Sequence, residues 1–453
     1  MAGDRIYCPQ ESGRHVGGLE VTDFDVVGEM GRRQTPDIKW SADMSEAKKA
    51  ELRPVLEAFD QAATEFENNH DVVFPSEAER LRLFHAAQKK WRKHRSRPGP
   101  CMYHGCTKTS VARSHTIPMS SSIKLIAEGG HVMTPRYGEK QLEVARVGIH
   151  EASTFPGFCA EHELLFAGFE TKKEMSSKEH FQLQAFRTLC REVYTKRHQR
   201  RKLEATIEEY RQRRDAFIVS RTEAAAARPL GVNRLEFSDD ALETQVVGHI
   251  DSLNEDLSAL DGLYRGLVED MRHGAQNTAM LIANFNLRVP VCLSGLGMLN
   301  YELHGVRKRA LCFLAVIPEQ AQTKIIIGAE KEHQNAIDLH FMDETSPALV
   351  ARLESWMCHG SDHWFIAPSA WVAIPEQRRR AICDRILDVS HALADPVPFS
   401  VLDGTRSTII RLVKEGLAAR NFSSDEIACA TQTLAEEQAK LDFVPIKSPA
   451  QDE

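Results

Sequence analysis

Apolar residues recur at helical spacing over Ser45 to Glu67 and again over Ser76 to Arg95, where Ser76-x-x-Glu79 has the spacing of a capping box. Arg97-Pro98-Gly99-Pro100 stops the second helix, because proline neither donates to a helical ladder nor lets its predecessor stay helical. A further Ser-x-x-Glu, Ser176 to Glu179, opens a helix with Leu183, Phe186, Leu189 and Val193 on one side. Leu203 to Ala227 is rich in charge with few apolar anchors, and after Pro229-Leu230-Gly231 an amphipathic segment spans Asp239 to Asn286. This middle region predicts long helices packed as a hairpin, serving as a spacer or a homodimer interface. From Val289 the period changes. Arg309 to Ile317 and Thr323 to Ala329 are β-branched or apolar runs separated by Pro318-Glu319-Gln320-Ala321-Gln322, which predicts a β-hairpin, and helices then begin at Ser346-Pro347, Pro375 and Ser423.

The predicted class is therefore α+β. With 453 residues the chain is longer than one hydrophobic core supports, and the pattern divides it into five stretches. These are an N-terminal arm with helices (1–99), a Cys/His module (100–171), a helical spacer (172–286), an α+β domain (287–445) and a tail (446–453). Within the first stretch, residues 1–45 show no sustained period. Within the module, Gly129-Gly130 and Gly138 mark turns and Leu142 to Ile149 reads as a strand.

Composition narrows the classes. Apolar residues make up 42% and charged residues 27%, and the longest apolar runs, Cys312 to Ile317 and Ile325 to Ala329, are too short for a bilayer. No signal-like apolar core follows Met1, so a cytoplasmic location with reduced cysteines is expected. The chain has no Gly-rich phosphate loop followed by Lys and Ser/Thr, and no Gly-x-Ser-x-Gly elbow.

Four residues carry the strongest chemical signal. Cys101 and Cys106, then Cys159 and His162, are ligand pairs of the kind that tetrahedral Zn²⁺ selects. His104 lies inside the first pair and is an alternative ligand. Cys8, Cys190, Cys292, Cys312, Cys358, Cys383 and Cys429 lack such spacing and read as small buried hydrophobes.

The net charge of -7 conceals a basic block. No Asp or Glu occurs between Leu81 and Ala127, whereas Lys89, Lys90, Arg92, Lys93, Arg95, Arg97, Lys108 and Arg113 do, interleaved with Trp91 and Tyr103. A phosphate backbone rewards such a block through counterion release, so DNA or RNA is the expected partner.

With Ser114-His115-Thr116-Ile117-Pro118 between the two ligand pairs and Glu163 directly after the second, residues 100–171 resemble the treble-clef branch of the HNH, or ββα-metal, nucleases. The resemblance implies a structural Zn²⁺ and a catalytic Mg²⁺ or Mn²⁺. It implies that His115 is the general base and that Glu163 stands where the family has a metal-binding His. Ser114 stands where the family has Asp, and the family Asn that orients the base has no counterpart in Ala152-Ser153-Thr154-Phe155. Two readings follow. One is a metal-dependent nuclease, by analogy in bacterial defence or a mobile element, with the C-terminal domain sensing or binding a protein partner. The other is a zinc-stabilised nucleic-acid-binding or scaffold protein that does not cut. His131 and His150 read as surface histidines. Cys358-His359-Gly360-Ser361-Asp362-His363-Trp364 reads as a structured turn among buried aromatics, with Trp356, Trp364 and Trp371 as a candidate recognition surface.

Overall fold

The computed structural model describes residues 45–68, 86, 89–91, 93, 96–138, 141–229, 240–341, 345–419 and 423–445. The expected arm over 1–45, the Ser76-x-x-Glu79 box, Arg92, Arg95, Cys8 and the tail 446–453 lie outside the described residues, apart from Ser45 itself. The described chain mixes helix and sheet, as the α+β expectation requires, and separates into two compact units. One holds residues 98–194 and 258–445; the other holds the described residues up to 97 together with 195–257.

The smaller unit is helical. It contains α1 (Glu46–Asn68), most of a long helix whose full extent is Lys178–Ala226, and the first half of another over Ala241–His273. Leu203 and Ile207 pack against Val246 and Leu253, and Ala62 and Ala63 against Ile218. Apolar anchors are sparse here because charge does much of the joining. Arg214 is 1% exposed and its guanidinium meets Asp215, Asp240 and Glu243, while Tyr210 donates to Asp240. A buried guanidinium is tolerated only when its donors are met in this way.

Two helix boundaries differ from the sequence expectation. Ser177, not Ser176, caps the long helix, its hydroxyl accepting from the His180 amide at 3.3 Å. The segment expected to stay helical to Asn286 stops at His273, where Gly274 takes φ +67 and its amide bonds the Asp270 carbonyl. The residues that follow, Thr278–Phe285, form an edge strand instead.

Among the described residues of the larger unit nine segments are extended: β1 (Ser114–His115), β2 (His131–Tyr137), β3 (Leu142–Gly148), β4 (Thr154–Phe155), β5 (Thr278–Phe285), β6 (Val291–Leu303), β7 (Val306–Pro318), β8 (Thr323–Glu330) and β9 (Trp364–Ile366). β1 and β4 pair with each other, and the rest form a seven-stranded antiparallel sheet in the order β3-β2-β9-β6-β7-β8-β5. The expected hairpin is β7–β8, in register from Phe313↔Gly328 to Pro318↔Thr323. β6 precedes it and turns through His304 and Gly305, both at positive φ, as a two-residue hairpin demands. Gly297 has no room for a side chain, since a Cβ would lie 2.5 Å from Leu393 and 3.0 Å from Trp356.

Helices Gln334–Phe341 and Ser346–Ser355 lie between β8 and β9, and Pro368–Ala373, Glu376–Leu387, Asp403–Ala419 and Ser424–Leu441 follow β9. Many of their apolar residues join the sheet in one core that includes Trp356, Trp364 and Trp371. These tryptophans are 0–4% exposed, so they are not a recognition surface; burial of a large aromatic surface in the core wins. Cys190, Cys292, Cys312 and Cys358 are buried as expected, whereas Cys383 is half-buried and Cys429 exposed on its helix. No helix among the described residues is long and apolar enough to cross a membrane.

Burial holds two histidines neutral here. His340, with Arg352 nearby, and His359, with Arg385 and His391 nearby, are both pushed down to about 4. An unfolded chain binds protons at these sites from about pH 6.5 downward while the folded chain does not. Their contribution is therefore complete above pH 6.5 and is lost as pH falls towards 4. Thermal melts between pH 7 and 4 should show a fall on the order of 1 kcal/mol or more per histidine, shallower in His340→Gln and His359→Gln. Equal slopes in wild type and variants would contradict this.

Candidate metal centre

Cys101 sits at the base of a tight loop closed by a Pro100↔Thr109 bridge and by its own amide on the Lys108 carbonyl at 2.9 Å. Gly105 at φ +77 lets the chain double back, and the Cys106 amide reaches the Tyr103 carbonyl. Cys159 directly precedes α2 (Ala160–Glu163), so His162 follows it on the first turn. The four side chains converge, with their ligand atoms all within 4.8 Å of one another. His162 Nδ1 is 3.4 Å from Cys101 Sγ and 3.3 Å from Cys159 Sγ, and Cys106 Sγ is 4.0 Å from Cys159 Sγ. A tetrahedral shell with zinc's ordinary bond lengths has edges of about 3.5–3.8 Å, so this Cys3His set could hold a metal such as zinc.

Main-chain amides donate to two of the sulfurs. The Cys159 amide donates to Cys101 Sγ at 3.3 Å and the Lys108 amide to Cys106 Sγ at 3.4 Å. Burial pushes the Cys101 thiol up to about 11. A bound cation supplies the charge that reverses such a shift. Tyr103 stacks on the His162 ring at 4.0 Å and 15°, fixing its plane. His104 is exposed and does not join the cluster.

Beside this cluster, β1 pairs with β4, bringing Ser114 opposite Phe155 and His115 opposite Thr154. His115 Nδ1 lies 3.1 Å from the Ala152 carbonyl oxygen, which can only accept, so the ring proton sits on Nδ1 and Nε2 keeps its lone pair. A main-chain carbonyl thus orients the ring. Ser153, at φ +58, turns the backbone there, and its hydroxyl accepts from the Ile117 amide. Burial, helped by Arg187, pushes His115 down to about 4, well below the ordinary imidazole range expected for it. Ser114 is fully buried, and its hydroxyl accepts from the Phe158 amide.

Glu163 ends α2. Its Oε2 lies 3.4 Å from Arg187 Nη2, and its Oε1 is buried with no hydrogen-bond partner among the described residues. Burial raises this carboxyl against the opposing pull of Arg187 and the Ser114 hydroxyl. Arg187 is 1% exposed, also pairs with Glu170 at 2.6 Å, and lies over the Phe166 ring at 4.1 Å. Neither Arg187 nor Glu170 belongs to a motif. One signal was present for Arg187: it falls four residues after Leu183, within the apolar stripe of its helix, where a charge needs a buried partner. His131 bonds the Gly129 carbonyl at 2.8 Å and His150 is exposed.

Of the basic candidates, Lys89, Lys90, Lys93 and Arg97 are exposed and belong to the helical unit, with Lys90 over Trp91 and Trp91 edge-on to His198. Lys108 and Arg113 belong to the other unit. Arg113 is exposed, and Lys108 forms an ion pair with Glu161.

Compared with known proteins, the chain matches no family model, no curated protein and no solved structure.

Proposed function

We propose that the chain is an HNH-like, metal-dependent nuclease acting on DNA or RNA, with Zn²⁺ holding the Cys3His cluster of a treble-clef-like module. The observation that carries this reading is His115. It sits on a short strand beside the helix that supplies His162 to the cluster, with Nδ1 committed to a carbonyl and Nε2 left as an acceptor. That is the hydrogen-bond geometry of a general base, while burial and Arg187 keep the ring a weaker base than an ordinary imidazole. A proton from the attacking water passes to His115 Nε2 as the new P–O bond forms, and the Ala152 carbonyl stabilises the imidazolium through Nδ1–H. The bond to the leaving oxygen then breaks, that oxygen takes up a proton from solvent, and His115 returns its own to solvent. Glu163 is the residue that would hold a Mg²⁺ or Mn²⁺, and its orphaned Oε1 is a hard oxygen donor of the right kind. Such an ion supplies electrostatic stabilisation of the developing charge on phosphate.

The exposed cations of the basic block support a nucleic-acid partner. Reversing Lys89, Lys90 and Lys93 to Glu should weaken binding about tenfold or more at low salt and flatten the salt dependence, because each phosphate contact contributes roughly one unit of slope. Binding measured across a salt series checks this; an unchanged affinity and slope would assign these lysines to solvent or to a protein partner.

The non-cutting reading retains one specific support, the Arg187 guanidinium already paired with Glu163. Incubating the full chain with single- and double-stranded DNA and RNA in Mg²⁺ or Mn²⁺ separates the two. Cleavage that chelation stops is expected; intact substrates throughout would leave a zinc-stabilised binding protein.

A further inference from the structure

We propose that Arg187 is an internal cation lock: its guanidinium, anchored by Glu170, competes with a divalent ion for Glu163. The consequence for cleavage rests on the nuclease reading; the competition for Glu163 does not.

The argument begins with charge. Glu163 and Glu170 face one guanidinium, so with all three ionised the cluster keeps one uncompensated negative charge beside a neutral His115. Arginine cannot shed its proton, so it is a permanent competitor for any cation seeking these carboxylates. The pairing is also unequal. Nη1 is 2.6 Å from Glu170 Oε1, whereas Nη2 is 3.4 Å from Glu163 Oε2. Arg187 is therefore anchored by Glu170 and holds Glu163 loosely. Beyond these contacts the interior is under-satisfied. Glu163 Oε1, Arg187 Nε, Thr116 Oγ1 and Gln184 Oε1 are buried without hydrogen-bond partners among the described residues. Buried orphans of this kind call for a water or an ion.

The helical segment carrying Arg187 is attached on two sides. Gln184 donates to the carbonyl of Thr116, the residue after His115, at 3.0 Å, and also bonds Thr188. Thr188 Oγ1 meets Ser294 Oγ of β6 at 2.9 Å, and His363 donates to the Ser294 carbonyl at 2.7 Å. One stretch of helix thus joins the strand of His115 to the seven-stranded sheet through the Gln184 amide and the Thr188 hydroxyl, with Arg187 between them.

Mn²⁺ binding to the zinc-loaded full chain, followed by the electron paramagnetic resonance signal of free Mn²⁺, tests the lock. The Arg187→Gln/Glu170→Gln protein has the same net charge as wild type but lacks the competitor. It should bind one Mn²⁺ at least tenfold more tightly than wild type, and adding Glu163→Gln should abolish that gain. Equal affinity in wild type and the double variant, or a gain that survives Glu163→Gln, overturns the proposal. Should the double variant fail to fold, Arg187→Lys keeps the charge but loses the two-pronged grip, and a several-fold tightening is expected; unchanged affinity again overturns it. Cleavage is scored separately. Tighter Mn²⁺ binding without cleavage in any variant supports the lock and overturns the nuclease reading, whereas a wild type that cuts and binds Mn²⁺ as tightly as the variants does the reverse.

Discussion

Cys159→Ser protein is expected to hold well below one zinc per chain and to lose the local order of the Cys101–Cys106 loop and of the helix that follows residue 159. A structural Zn²⁺ in a small module contributes roughly 10–16 kcal/mol of apparent binding free energy at neutral pH, and a hydroxyl replaces a thiolate poorly. Yet Ile117, Ile123, Phe158, Phe166 and Phe169 are buried, with Phe158 against Phe166 and against Phe186 of the long helix, so the module has apolar packing besides the metal. The loss should therefore be graded. Hydrogen exchange should rise steeply over residues 100–109 and 157–166 while β6, β7 and β8 stay protected, and elemental analysis should show the metal missing. A Cys159→Ser protein with full zinc, or a wild type that is metal-free with these segments protected, would refute the Cys3His assignment.

The second large effect concerns chemistry. His115→Ala should reduce divalent-dependent cleavage by about 10²–10⁴-fold, the usual worth of a positioned general base, and leave zinc content and nucleic-acid affinity unchanged. The side chain is half-buried and among the described residues bonds the Ala152 carbonyl, so its removal costs little of the fold. Glu163→Gln should instead raise the concentration of Mg²⁺ or Mn²⁺ needed for half-maximal rate, since one hard oxygen ligand is weakened. If His115→Ala cuts as fast as wild type, the assignment of the base fails while the zinc assignment is untouched. The two predictions therefore fail independently.

How far each feature could be read in advance follows from the range of the interaction behind it. Local chemistry was legible. The last helix begins at Ser423 as expected, where the structure shows a capping box with Glu426 satisfied within four residues, and the β7–β8 hairpin needs only two β-branched runs and a short turn. The Cys and His pairs were legible for the same reason, each pair being a spacing within one turn or loop. Offsets of one residue, as between Ser176 and Ser177 at the head of the long helix, lie below what pattern resolves. β6 is not legible as a strand because Ser294, Gly295 and Gly297 interrupt its apolar run, and the two glycines allow close approach to Ser361, Leu393 and Trp356.

What the sequence by itself determined is the α+β class, the positions of several helices and of one hairpin, and the two ligand pairs with His115 between them. Tertiary structure alone decided that the pairs meet in one Cys3His cluster, and that β2 and β3, from the same stretch of chain, extend a sheet built 150 residues later, with the Thr134 hydroxyl on the Trp364 carbonyl. It also decided that the three C-terminal tryptophans are core, and that Arg187 takes the place beside Glu163. Periodicity reports which face of an element seeks burial, but not which partner meets it. A buried charge shows the difference most sharply: Arg187 is stable at 1% exposure only because Glu163 and Glu170, 24 and 17 residues away in the chain, are brought to its guanidinium by the fold.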